Sequence, residues 1–111
     1  MPHYPLKEVK RLVREGKIDI KPNASQTASD DFGWQKDDIK KCINKLNGRL
    51  HNDNKDKNHF YKSEPHRYIP HTVMDYYKAV GIMEGNDVYT HFYIHPQSKR
   101  LVISSFKELE R

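Results

Sequence analysis

The apolar positions change period partway along the chain. In residues 5–15, Leu6, Val9, Leu12 and Val13 recur at helical spacing, with Lys7, Glu8, Lys10, Arg11 and Arg14 on the other faces, which predicts an amphipathic helix. Pro5 suits a first-turn position and Gly16 a left-handed stop. Ile18 and Ile20 alternate around Asp19, a short extended piece ending before Pro22. Residues 23–33 are rich in Ser, Asn, Asp, Ala and Thr without a clear period, and leave room for a short helix. A further helix is predicted over 35–47, because Trp34, Ile39, Cys42, Ile43, Leu46 and Leu50 fall near one face, with Gly48 as its stop. Residues 51–58 are nearly all polar and read as an exposed loop.

Past that loop the period drops to two. Phe60 and Tyr61 open a short strand, followed by a loop containing Pro65 and Pro70. Residues 73–80 and 88–95 read as strands around a turn region at 81–85, and 101–107 as a last strand rich in β-branched and apolar residues. Helices first and strands later predict an α+β fold, with helices on an antiparallel sheet. A length of 111 residues suits one core rather than two, so residues 1–111 are expected to form a single domain.

Alternation in 88–95 puts Val88, Thr90, Phe92 and Ile94 on one face and Tyr89, His91, Tyr93 and His95 on the other. A hairpin around 96–100 that pairs Tyr89 with Lys107 also pairs His91 with Ser105. That register sets Val102 and Phe106 with the core residues Phe92 and Ile94. It leaves Leu101 and Ile103 with the Tyr, His, Ser and Lys side chains of the opposite face. Such an aromatic and cationic surface suits stacked bases and phosphates, which makes Tyr93 and His95 candidate RNA contacts.

Charge sharpens the picture. The formal balance is +5, and residues 35–62 carry eight basic and four acidic side chains, most of the excess. A positive surplus favours nucleic acid, an anionic membrane surface or an acidic protein. Lys40, Lys41, Lys45 and Arg49 are the candidate phosphate contacts of this segment. Apolar residues reach only 35%, yet seven Tyr, four Phe and one Trp argue for a folded core. The single Cys42 cannot form an internal disulfide, and no apolar run approaches 18 residues. With neither a signal peptide nor a lipidation motif in the sequence, a cytoplasmic protein without a membrane partner is expected. His91 and His95 lie about 13 Å apart on a strand, too far to share a zinc ion that needs each nitrogen at about 2 Å. No metal or cofactor is therefore expected.

Three stretches together resemble the motility quorum-sensing regulator (MqsR) toxin family: the opening His3 to Val13 with Gly16 behind it, the run Phe60-Tyr61-Lys62-Ser63, and Val102 to Glu108 preceded by Val88-Tyr89. The resemblance implies a RelE-like fold, with helices packed on a twisted antiparallel sheet. It also implies a metal-independent endoribonuclease that cleaves mRNA and arrests growth. Its partner would be a cognate antitoxin, usually zinc-binding with a helix-turn-helix, through which alone operator DNA would be contacted. Carried over by motif, the active-site residues are Lys62, Tyr89 and Lys107. The family's active-site glutamine falls on Met74 or, shifted by one, Asp75, and neither is an equivalent. His91 and His71 are the imidazoles best suited to moving protons near neutral pH. Two other functions compete: a non-catalytic module binding RNA or protein, and a DNA-binding regulator, for which the long extended segment between the two clear helices provides no helix-turn-helix.

Overall fold

The computed structural model describes residues 1–52 and 57–110. The middle of the polar segment 51–58 therefore lies outside the described residues, and Lys55 with it. Among the described residues the order is α1 (Leu6–Arg14), β1 (Ile18–Ile20), α2 (Pro22–Phe32), α3 (Lys36–Ile43), β2 (Phe60–Pro65), β3 (Val73–Met83), β4 (Asn86–Ile94) and β5 (Leu101–Glu108). The strands form one sheet in the order β1-β5-β4-β3-β2. It is mixed rather than wholly antiparallel, because β1 pairs parallel with β5 at one edge.

The helices cover one face. Val9 and Leu12 of α1, Ala28 of α2, and Ile39 and Ile43 of α3 share a core with Tyr77, Phe92, Ile103 and Phe106 of the sheet. Burying this apolar surface supplies most of the driving force for folding. Helix α1 follows the sequence pattern, with Pro5 as its N-cap, and Gly16 (φ 73°) carries the chain out of it. Helix α3 is shorter than its pattern suggests. It ends at Ile43, and Leu50 is 64% exposed instead of joining the apolar face. Gly48 ends no helix. A Cβ there would lie 3.2 Å from Pro2 Cγ, so this glycine lets the N-terminal segment pack closely.

The segment without a clear period forms the longest helix, α2, closed by Gly33 at φ 71°. Its logic is polar. Strand β1 pairs with β5 only as far as Ile103, and α2 continues along the edge left over. Asn23 Nδ2 donates to the Ser104 carbonyl (3.0 Å), Thr27 Oγ1 to the Phe106 carbonyl (2.6 Å), and the Glu108 amide to Asp31 Oδ2 (2.9 Å). These three side chains stand four residues apart and so line one face of the helix. Ala24 and Ala28 are fully buried and small enough for close approach. The helix thereby covers an edge that would otherwise present unpaired backbone groups.

Strand β3 runs three residues beyond its expected end, to a two-residue turn in which Glu84 (φ 54°) and Gly85 (φ 75°) both adopt the left-handed conformation of tight hairpins. The expected pairings Tyr89 with Lys107 and His91 with Ser105 are present. Beyond them the register shifts, so that Phe92 pairs with Ile103 and Ile94 with Leu101. Ser104 is the extra residue of a β-bulge. Leu101 and Ile103 are therefore fully buried with Phe106 rather than on the opposite face, because the bulge reverses the alternation between Ile103 and Ser105.

Candidate functional site

The face away from the helices is built by β2 to β5. It carries Tyr76 and Lys78 of β3, Tyr89, His91 and Tyr93 of β4, and Ser105 and Lys107 of β5. Two bulges bring lysines to it. In β2 the register shifts between Phe60, which pairs with Tyr77 in the core, and Lys62, which pairs with Tyr76 on the open face. Strict alternation from Phe60 would have turned Lys62 toward the helices. The bulge at Ser104 does the same for β5, letting Phe106 enter the core while Lys107 faces out.

The side chains then form a continuous array. Lys62 Nζ stands 5.0 Å from the Tyr76 ring centre. Tyr76 lies 4.6 Å from the His91 ring and 6.4 Å from Tyr89. Lys107 Nζ is 5.4 Å from the Tyr89 ring, and Lys78 Nζ sits 3.8 Å from the ring of Tyr61. Lys62 also donates to Glu64 Oε1 at 2.8 Å, and this bond raises its pKa. It stays a cation across the physiological range.

His91 behaves in the opposite way. Burial, followed by the charges of Lys107, His66 and Lys62, lowers its pKa to about 4. Its Nδ1 is buried and has no hydrogen-bond partner among the described residues. At neutral pH the imidazole is uncharged, with one nitrogen uncommitted. Tyr89 has its pKa raised by burial first and by Tyr76 next, so its phenol remains protonated. The array thus combines fixed cations, a neutral imidazole and a protonated phenol, a set suited to binding a polyanion and to moving protons beside it.

Not every candidate joins it. Tyr93 is only 3% exposed, its ring covered by His66 at 4.8 Å. His95 Nδ1 accepts from the amides of Gln97 and Ser98 and braces the β4–β5 turn. His71 is exposed on the turn before β3, at φ 57°, and does not line the groove formed by Met74, Tyr76 and His91. Lys40 and Lys41 belong to α3, whose inner side packs on the opposite face of the sheet. Lys45 lines a separate groove with Asn47, His59 and Gly81, and Arg49 is exposed beyond α3. The basic middle segment and the sheet array are therefore two surfaces rather than one.

The two candidates for the glutamine position separate cleanly. Met74 lines a groove of about 550 Å³ beside His91 and Tyr76. Asp75 is fully buried on the core face, where it accepts from the amides of His3 (3.1 Å) and Tyr4 (2.8 Å) and from Ser63 Oγ (2.5 Å). It anchors the N-terminal segment. The pattern of the sequence missed Tyr76, Lys78, Tyr61 and His66. The first two follow from extending the alternation of β3, whereas Tyr61 depends on the bulge and His66 on the fold of a loop.

Fold and face define a small α+β protein with one sheet surface covered and the other open, basic and aromatic. A sequence model of the motility quorum-sensing regulator family, described as the toxin of MqsA, matches residues 1–108, and the chain belongs to this toxin family. No curated protein matches it significantly. None of the helices among the described residues is long and apolar enough to cross a membrane.

Proposed function

We propose that the protein is an mRNA-cleaving toxin whose open sheet face is the active site. The observation that carries this reading is the convergence of Lys62, His91 and Lys107 around the adjoining rings of Tyr76 and Tyr89. In this scheme the ribose 2′-oxygen attacks the adjacent phosphorus as the bond to the 5′-oxygen breaks, leaving a 2′,3′-cyclic phosphate and a free 5′-hydroxyl. The neutral imidazole of His91 takes the 2′ proton through its accessible edge. A phosphate lying between Lys62 and Lys107 offsets the repulsion that holds the imidazole pKa down, so binding makes His91 a better base. Tyr89 gives its proton to the departing 5′-oxygen, and the two lysines neutralise the charge that builds on phosphorus. The pair is reset by proton exchange with solvent. No step calls for a metal ion.

The helix-covered, mostly antiparallel sheet supports a RelE-like assignment. Family membership supports a cytoplasmic protein neutralised by an MqsA-type antitoxin, with zinc and helix-turn-helix features belonging to that partner and DNA contacts made through it. Purified protein incubated with a long single-stranded RNA tests the reading. Discrete fragments, undiminished by EDTA, are expected. A gel shift with intact RNA would instead mark a non-catalytic binder, a reading that the unreactive thioether of Met74 in the groove favours.

A further inference from the structure

The groove beside the array has features the cleavage chemistry does not use. Tyr68 stands on its rim with 80% of its surface exposed. Its backbone is nevertheless fixed, because the amides of Tyr68 and Ile69 both donate to His66 Nδ1 at 3.0 Å, and the His66 amide donates to the Thr72 carbonyl at 2.7 Å to close the loop. A large ring held in water on a pinned turn is a preformed stacking platform. Arg67 beside it has no ion-pair partner among the described residues. The groove, about 550 Å³, also takes in Met74, whose thioether offers a soft apolar contact, and part of the His91 ring. That size falls within the ~300–1,000 Å³ typical of small-molecule sites.

We propose that this groove is a subsite for one nucleobase of single-stranded RNA, stacked on Tyr68, resting on Met74 and hydrogen-bonded by Arg67. The proposal rests on the RNA-cleaving reading of the neighbouring face. The base it holds belongs to a nucleotide flanking the scissile phosphate, because His91 borders both the groove and the lysine-tyrosine array. Met74 offers apolar contact where an amide would read a base edge, so Arg67 becomes the main determinant of base preference.

A set of 2′-O-methyl hexanucleotides, each carrying the fluorescent base 2-aminopurine at a different position, tests this without cleavage. With the parent chain, fluorescence should be quenched at one position. Tyr68→Ala should abolish that quenching and weaken binding roughly tenfold, the scale of a lost base–aromatic stack, while Tyr68→Phe should preserve both. A Tyr68→Ala chain equal to the parent, a Tyr68→Phe chain equal to Tyr68→Ala, or a parent that does not bind would each overturn the subsite. Tyr68-dependent quenching by a protein that leaves ordinary RNA uncut would keep the subsite and remove the nuclease. Normal cleavage with no dependence on Tyr68 would do the reverse.

Discussion

Asp75 offers the clearest separation between holding the fold and doing chemistry. Its carboxylate is fully buried and receives three hydrogen bonds, two from the backbone of His3 and Tyr4 and one from Ser63. Replacing it with alanine strands all three donors. Hydrogen bonds to a charged group contribute about 1.5–3 kcal/mol each. Two of the donors belong to the N-terminal segment, however, and regain water when that segment peels away. Tyr4 Oη would still be tied to the Val73 carbonyl at 2.7 Å, so peeling is incomplete, and a net loss of about 3 kcal/mol follows. Against a usual stability of about 5–15 kcal/mol this is large, and for a domain of this size it lowers Tm by roughly 12 °C. Asp75→Asn keeps one acceptor and should lose about half as much. Urea and thermal unfolding measure the loss, and hydrogen exchange should show the His3 and Tyr4 amides opening first. If Asp75→Ala melted within about 2 °C of the parent yet abolished RNA cleavage in its folded state, Asp75 would belong to the active site and the anchoring account would be wrong.

Three further outcomes are expected. The unfolded chain protonates His91 near 6.5 and the folded chain only near 4, so stability is full above pH 6.5 and falls as the pH drops toward 4. The whole shift is worth about 3 kcal/mol, reduced to about 1–2 by partial exposure of the ring, and His91→Gln should flatten this part of a Tm-against-pH curve. Lys62→Ala and Lys107→Ala should each lower the cleavage rate by about 10² with unchanged melting; parental rates in both would move the catalytic site elsewhere. Removing the charges of Lys40, Lys41 and Lys45 together should leave kcat within about twofold, since these side chains lie away from the open face, and should at most weaken the salt-dependent part of RNA binding.

Much of this architecture was legible in the residues. Period-two patterning in β4 identified the face that carries Tyr89 and His91, and two pairings across the β4–β5 hairpin were correct. What failed was the assumption that alternation continues. The apolar residues Leu101, Ile103 and Phe106 are spaced by two and then three, which is the trace of a bulge, and a strict period placed two of them on the wrong side. Helix α2 escaped the apolar pattern because it buries only Ala24 and Ala28, while Asn23, Thr27 and Asp31 bond to the backbone edge of β5, a purpose that appears only once that free edge exists. Likewise, charge counted along residues 35–62 merged Lys62 with the lysines of α3, although the sheet lies between them. His66 and Tyr68 carried no signal at all, since a loop positions them through one imidazole nitrogen.

Product ends test the central claim most directly. Mass spectrometry of a single-stranded RNA treated with the purified protein in EDTA should find 2′,3′-cyclic phosphate and 5′-hydroxyl termini, lost in a Lys62→Ala, Lys107→Ala double variant that melts like the parent. RNA left intact by the parent, 5′-phosphate termini, or undiminished cleavage by the double variant would contradict it.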